Sequence, residues 1–207
     1  MEEQIKQEGY KNVIDQALKT FANIIDAKDK YTNGHSMRVA VYSRELARKL
    51  GLSEEEQERI YYIAMLHDIG KIGVADGILN KPGKLTPKEQ EVIRNHPRIG
   101  GEILKDFTSL PGICEGARYH HERYDGTGYN EGLKGEEIPF YARIICVADS
   151  YDAMAADRCY SRGLDAETIK KEIRSNMGTQ FDPEIAAAML ELMEEGKVPI
   201  FVDIPCK

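Results

Sequence analysis

Apolar side chains recur at spacings of three and four along most of this chain, the mark of amphipathic helices. From residue 4 to residue 27 they fall at Ile5, Val13, Ala17, Leu18, Phe21, Ile24 and Ile25, which predicts a long N-terminal helix. The pattern resumes at His35 and runs through Val39, Tyr42, Leu46 and Leu50, where Gly51 supplies a stop. Ser53 with Glu56 forms a capping box and opens a helix running to about Leu66. Thr86 and Glu89 repeat that box, with Pro87 suited to the first turn, for a helix ending at Asn95. Further helices are predicted at 98–107, 111–122, 139–156, 165–176 and 183–195. The glycines and prolines of residues 70–85 predict a loop with at most one helical turn, and those of 125–138 exclude a helix. Residues 198–204 are the only strand-like stretch, weakened by Pro199. The chain reads as all-α, with a helical extension over 1–27, a domain over 28–196 and a tail over 197–207.

Composition narrows the function classes. The 207 residues are 42% hydrophobic and 30% charged, ordinary for a globular chain able to bury a sizeable core. No apolar run approaches the roughly 18 residues that span a bilayer. The start, Met1-Glu2-Glu3-Gln4, lacks the basic and apolar regions of a signal peptide. Cys114, Cys146, Cys159 and Cys206 form no close pair and read as reduced thiols, so a cytoplasmic location is expected. A net charge of −7 argues against DNA as a partner but leaves a small anionic substrate open, since a metal site supplies its own positive charge.

The candidate chemistry lies in the histidines. All five, His35, His67, His96, His120 and His121, fit one pattern with Asp68 and Asp149. Neutral imidazoles and carboxylates together suit divalent Fe, Mn, Ni, Co or Zn. A lone histidine such as His35 or His96 is usually structural or superficial. The adjacent pairs His67-Asp68 and His120-His121 are harder to assign that way, because neighbouring imidazoles are costly to bury without a metal or partner. Seven such groups, with Asp68 able to bridge, are enough for two cations.

The motifs resemble those of the HD-GYP family, a branch of the HD phosphohydrolase superfamily that hydrolyses cyclic dinucleotides. They are His67-Asp68-Ile69-Gly70-Lys71-Ile72-Gly73, Leu79-Asn80-Lys81-Pro82-Gly83-Lys84-Leu85-Thr86 and His96-Pro97 with Gly100. Next come His120-His121-Glu122-Arg123, Asp125-Gly126, Gly128-Tyr129 and Ile138-Pro139. Ala142-Arg143-Ile144, Ala148-Asp149, Tyr151-Asp152-Ala153-Met154 and Gln180-Phe181-Asp182-Pro183 complete the match, over about residues 21–190.

The resemblance implies an HD-type helical bundle holding two divalent transition-metal ions, Fe or Mn first, then Ni, Co or Zn. It implies one metal site at His35, His67, Asp68 and Asp149, and a second at His96, His120 and His121, with Asp68 bridging. A water activated by the metals would attack phosphorus. Lys71 is then expected to donate to a phosphate oxygen or the leaving alkoxide, and Asp152 to orient a ligand or the water. Substrate contacts are expected from Arg158, Tyr160 and Arg162 and from Gly128 and Tyr129. The implied substrate is cyclic di-GMP, with cyclic GMP-AMP or another nucleotide as alternatives, or a non-catalytic module that binds the dinucleotide or a protein. Implied partners are a sensor domain or regulatory protein and a second copy of the chain.

Three features depart from the family pattern. Gly128-Tyr129-Asn130 stands where the family has Gly-Tyr-Pro, which frees φ at position 130. Arg158-Cys159-Tyr160-Ser161-Arg162 replaces Arg-Pro-Tyr-Arg, which loses or shifts the second basic contact. Tyr31, with Asp26 and Asp29 nearby, stands where some members carry a glutamate for a third metal, so a binuclear site is expected.

Overall fold

The computed structural model of the chain describes residues 2–30, 34–156 and 163–199. Its α-helices are α1 (Glu2–Lys28), α2 (His35–Lys49), α3 (Glu54–Met65), α4 (Asp76–Leu79) and α5 (Pro87–Arg94), followed by α6 (His96–Leu104), α7 (Ile113–Tyr119), α8 (Phe140–Ala155), α9 (Ala166–Ser175) and α10 (Pro183–Glu194). Two 3-10 turns, Ile69–Gly73 and Gly135–Glu137, interrupt the loops. Among the described residues there is no strand, only an isolated bridge between Met177 and Phe181. The fold is all-α. No helix among the described residues is long and apolar enough to cross a membrane.

Local chemistry explains most boundaries. Both predicted capping boxes form: Ser53 Oγ accepts from the Glu56 amide, Thr86 Oγ1 from the Glu89 amide, and each glutamate reaches back to its cap. Gly51 ends α2 with φ +78°, a conformation that favours glycine. Three expectations need correcting. Residues 70–85 carry two helical turns, part of the 3-10 turn at 69–73 and the single-turn α4. α6 begins at His96 rather than 98, because Pro97 fits the first turn of a helix. α7 ends at Tyr119, so His120 and His121 lie in the turn beyond it instead of within a helix. The strand-like stretch 198–204 lies, from residue 200 onward, outside the described residues.

The core gathers around α8, which touches α2, α3, α7, α9 and α10. Its Ile144, Ile145, Val147 and Ala148 are buried together with Leu46, Ile60, Ile63, Met65, Ile113, Ile173, Ile185 and Met189. The single apolar stripe expected on α1 divides in two. Leu18, Ala22 and Ile25 enter the core, whereas Val13, Ile14, Phe21 and Ile24 remain exposed.

One backbone approach sets the position of the site. A Cβ on Gly70 would lie 1.8 Å from the His96 carbonyl oxygen and 2.5 Å from the Gly100 nitrogen. Only glycine lets the turn after Asp68 lie directly on α6. Gly70→Ala should therefore destabilise the chain by about 1–3 kcal/mol or more, lowering its melting temperature by roughly 2–4 °C per kcal/mol. Gly77→Ala, at a helical position with nothing within 4 Å of the new methyl, should be neutral or slightly stabilising. Equal melting temperatures for the two variants would contradict this packing.

Candidate metal centre

Three histidines are held by one repeated local device. His67, His96 and His120 follow the last turns of α3, α5 and α7. Each Nδ1 donates to a carbonyl three residues upstream: Ala64 at 2.6 Å, Ile93 at 2.7 Å and Ala117 at 2.9 Å. A carbonyl can only accept, so Nδ1 carries the proton and the neutral ring keeps its lone pair on Nε2. Carbonyls in a helix's last turn lack partners further along the helix, which makes them ready acceptors. The helix end thus fixes both the tautomer and the direction of each imidazole.

These Nε2 atoms converge on Asp68. Asp68 Oδ1 lies 3.1 Å from His96 Nε2 and 3.7 Å from His120 Nε2. Its other oxygen, Oδ2, lies 3.5 Å from His67 Nε2 and 3.6 Å from His35 Nε2. His35, at the start of α2, also has Nε2 at 3.3 Å from Asp149 Oδ1 on α8. The His121 ring centroid is 4.2 Å from that of His120 and 5.1 Å from that of His96. Ligand atoms of Asp68, His96, His120 and His121 lie within 4.8 Å of one another, and so do those of His35, His67 and Asp68. Asp68 belongs to both groups, one oxygen facing each.

The residues fit a metal. His96 Nε2 and His120 Nε2, both lone-pair atoms, sit 3.3 Å apart, a repulsive pairing unless a cation takes both. His67 Nε2 is fully buried with no hydrogen-bond partner among the described residues. Burial, reinforced by neighbouring imidazoles, lowers the pKa of His67 and His120 and takes His121 down to about 3, so these rings are neutral donors. Burial opposes the charge on Asp68, but the Lys71 ammonium beside it works the other way and the carboxyl is held well below its usual range. For His35 burial likewise works against protonation, yet the Asp152 hydrogen bond and the charges of Asp149, Asp152 and Asp68 raise its pKa. Neutral imidazoles around one shared carboxylate are a donor set for divalent transition metals.

The remaining expected residues fall into place unevenly. Lys71 Nζ lies 2.8 Å from Asp68 Oδ2 and 2.9 Å from Asp29 Oδ2. Asp152, on α8, accepts from His35 Nδ1 at 2.7 Å, with Arg38 donating through Nε at 2.6 Å and Nη2 at 3.0 Å. Tyr129 stacks on His121 with centroids 4.9 Å apart and planes at 29°. A Cβ on Gly128 would meet the Arg123 nitrogen at 2.5 Å and Glu122 Cα at 2.6 Å, so this glycine is needed for a close backbone approach. Arg158, Tyr160, Arg162 and Tyr31 lie outside the described residues.

Sequence reasoning missed Arg38, the salt-bridge role of Asp29, and Glu122. Arg38 lies three residues after His35 on α2, and that spacing was its only signal. Asp29 offered none, because its partner is 42 residues away. Glu122 is buried and accepts from the amides of Glu131 at 2.8 Å and Gly132 at 3.1 Å, which ties down the loop carrying Tyr129. In that loop Asn130 has φ 105°, which a proline, fixed near −65°, could not adopt.

The sequence matches the HD domain family over residues 19–185. It is similar to the cyclic di-GMP phosphodiesterase of Thermotoga maritima, 41% identical over 188 residues, covering 90% of this chain and 51% of that protein. It is equally similar to 3′3′-cGAMP-specific phosphodiesterase 3 of Vibrio cholerae, 41% identical over 172 residues, covering 83% of this chain and 37% of that one. The chain thus spans between about a third and a half of these curated relatives. Among solved structures, Bd1817, a HDG"Y"P protein from Bdellovibrio bacteriovorus, has the same fold, with TM-score 0.67 at 20% identity over 88% of this chain and 63% of that one. The chain belongs to the HD-domain family, on its HD-GYP branch.

Proposed function

We propose that this domain is a metal-dependent phosphodiesterase that opens cyclic di-GMP to its linear dinucleotide. The observation that carries this reading is the Asp68 carboxylate, with one oxygen toward His96 and His120 and the other toward His35 and His67. In this reading His35, His67, Asp149 and Asp68 hold one divalent ion, while His96, His120, His121 and Asp68 hold a second. Fe or Mn suits this set first, with Ni, Co or Zn as substitutes. Bound there, such ions supply Lewis-acid stabilisation of phosphoryl charge and a lowered pKa for the water nucleophile.

The chain's own side chains supply orientation and charge. Lys71 is a buried cation held by Asp29 and Asp68, and both carboxylates raise its pKa against the effect of burial. It therefore remains charged beside the reacting phosphate, where it donates to a phosphoryl oxygen or to the leaving alkoxide. Asp152 fixes the His35 ring through Nδ1, and Arg38 fixes Asp152. Tyr129 closes one side of the site over His121. Arg158 and Tyr160 match the family's phosphate-contacting residues, and Arg162 stands one position beyond the family's second arginine.

A second substrate, cyclic GMP-AMP, is favoured by one observation: the relative named for that activity is as similar to this chain as the one named for cyclic di-GMP. Turnover of both cyclic dinucleotides by anaerobically metal-loaded protein, with products resolved by chromatography, tests the activity and ranks the substrates. Intact dinucleotide recovered from the protein would favour a binding module instead. The greater length of the relatives supports a sensor or regulatory domain joined to this one.

Elemental analysis should find about two transition-metal ions per chain. Asp68→Ala should lose both ions and all hydrolysis, whereas His96→Ala should lose mainly one. Equal metal contents in the two variants would remove Asp68 from the bridging role. Lys71→Met should retain its metals and lower turnover roughly 10²–10⁴-fold, the range for a lost proton or hydrogen-bond donor at the reacting group. Its melting temperature should also fall, because the buried ion pairs of Lys71 with Asp29 and Asp68 are lost. Turnover at the wild-type rate would confine Lys71 to the ion pair.

A further inference from the structure

Tyr129 separates the metal centre from a second feature. Beyond it lies a groove of about 480 Å³ lined by Lys88, Val92, Arg94, Asn95, Tyr129 and Asn130, with Glu91 as its single acid. The Tyr129 ring stacks on His121 and also carries the Arg94 guanidinium, 5.3 Å from its centroid. The groove therefore adjoins the centre through one shared aromatic side chain. Among the described residues neither Lys88 nor Arg94 makes an ion pair, and both are exposed. The left-handed backbone of Asn130 places its amide on the groove wall, where its Nδ2 donates to the Arg118 carbonyl at 3.3 Å.

The chemistry of these groups is that of a nucleotide. An arginine fork and an ammonium suit a phosphodiester anion, and a guanidinium plane backed by a tyrosine ring suits a stacked base. A cyclic dinucleotide engaged at the metals by one phosphate must still place its other half beside the site. We propose that the groove binds that uncut half, with Lys88 and Arg94 on the non-scissile phosphate and the outer plane of the Arg94 guanidinium, itself seated on Tyr129, against its base. This subsite rests on the cyclic dinucleotide reading and extends it. It selects for substrates that carry a second phosphate and gives nothing to a simple diester.

The test is the double variant Lys88→Gln/Arg94→Gln, metal-loaded, compared with wild type on cyclic di-GMP and on bis(p-nitrophenyl) phosphate. On the cyclic dinucleotide kcat/KM should fall roughly 10- to 100-fold, mostly through KM, as for lost hydrogen bonds to a charged group. The loss on the small diester should be at least tenfold smaller. Equal losses on both substrates, or no loss on the dinucleotide, overturn the subsite. Calorimetric binding of a phosphorothioate cyclic di-GMP that resists hydrolysis separates this proposal from the activity. Tight binding by wild type and weak binding by the variant uphold the subsite even without turnover, a result that sinks only the phosphodiesterase reading. Equal binding by both proteins overturns the subsite whatever the turnover, and no binding by wild type overturns both readings.

Discussion

Asp68 is a charged carboxylate with only 4% of its surface exposed, and the surrounding structure is arranged to keep it charged. Breaking a buried ion pair typically costs about 3–5 kcal/mol, because the remaining charge has no partner and no water. Here the compensation comes from Lys71, because the imidazole lone pairs that face the carboxylate offer it no charge until cations sit between them. Lys71 is held in turn by Asp29 at the end of α1, so the long first helix contributes a charge to the centre as well as apolar surface to the core. The turn bearing Asp68 can lie against α6 only because Gly70 has no side chain. A carboxylate at the junction of α3 and α6, with helix-terminal histidines aimed at it from both sides, is a natural place for cations.

The histidines show how secondary structure becomes chemistry. Nothing holds His67, His96 or His120 by long-range packing alone; each is oriented by the carbonyl three residues before it. His35 is the exception, since it opens a helix and has no such carbonyl. Its Nδ1 is held instead by Asp152, 117 residues away, which Arg38 clamps. Local geometry thus orients three rings and tertiary contact orients the fourth.

That division explains what could be read from the sequence. The capping boxes, the glycine stop after α2 and nearly all of the helices were legible, because they follow from residues within one turn of each other. The histidine and aspartate set was legible as a pattern of residue types, and its division into two groups sharing Asp68 came from family resemblance. Arg38–Asp152, Lys71–Asp29 and the Gly70–α6 approach were not legible, since periodicity carries no information about partners 26 to 114 residues apart. The split apolar surface of α1 was also hidden, because a stripe shows that residues share a face but not whether that face is covered. At Asn130 the sequence signalled only that φ was freed; the structure supplies its left-handed sign.

The central claim is that one carboxylate is shared between two cations. Anomalous scattering from crystals of the Mn-loaded protein tests it most directly. Two peaks about 3.5–4 Å apart are expected, the usual separation of a two-metal site. One should lie against Asp68 Oδ1 with His96, His120 and His121, the other against Oδ2 with His35, His67 and Asp149. A single peak, or two peaks of which neither touches Asp68, would contradict it.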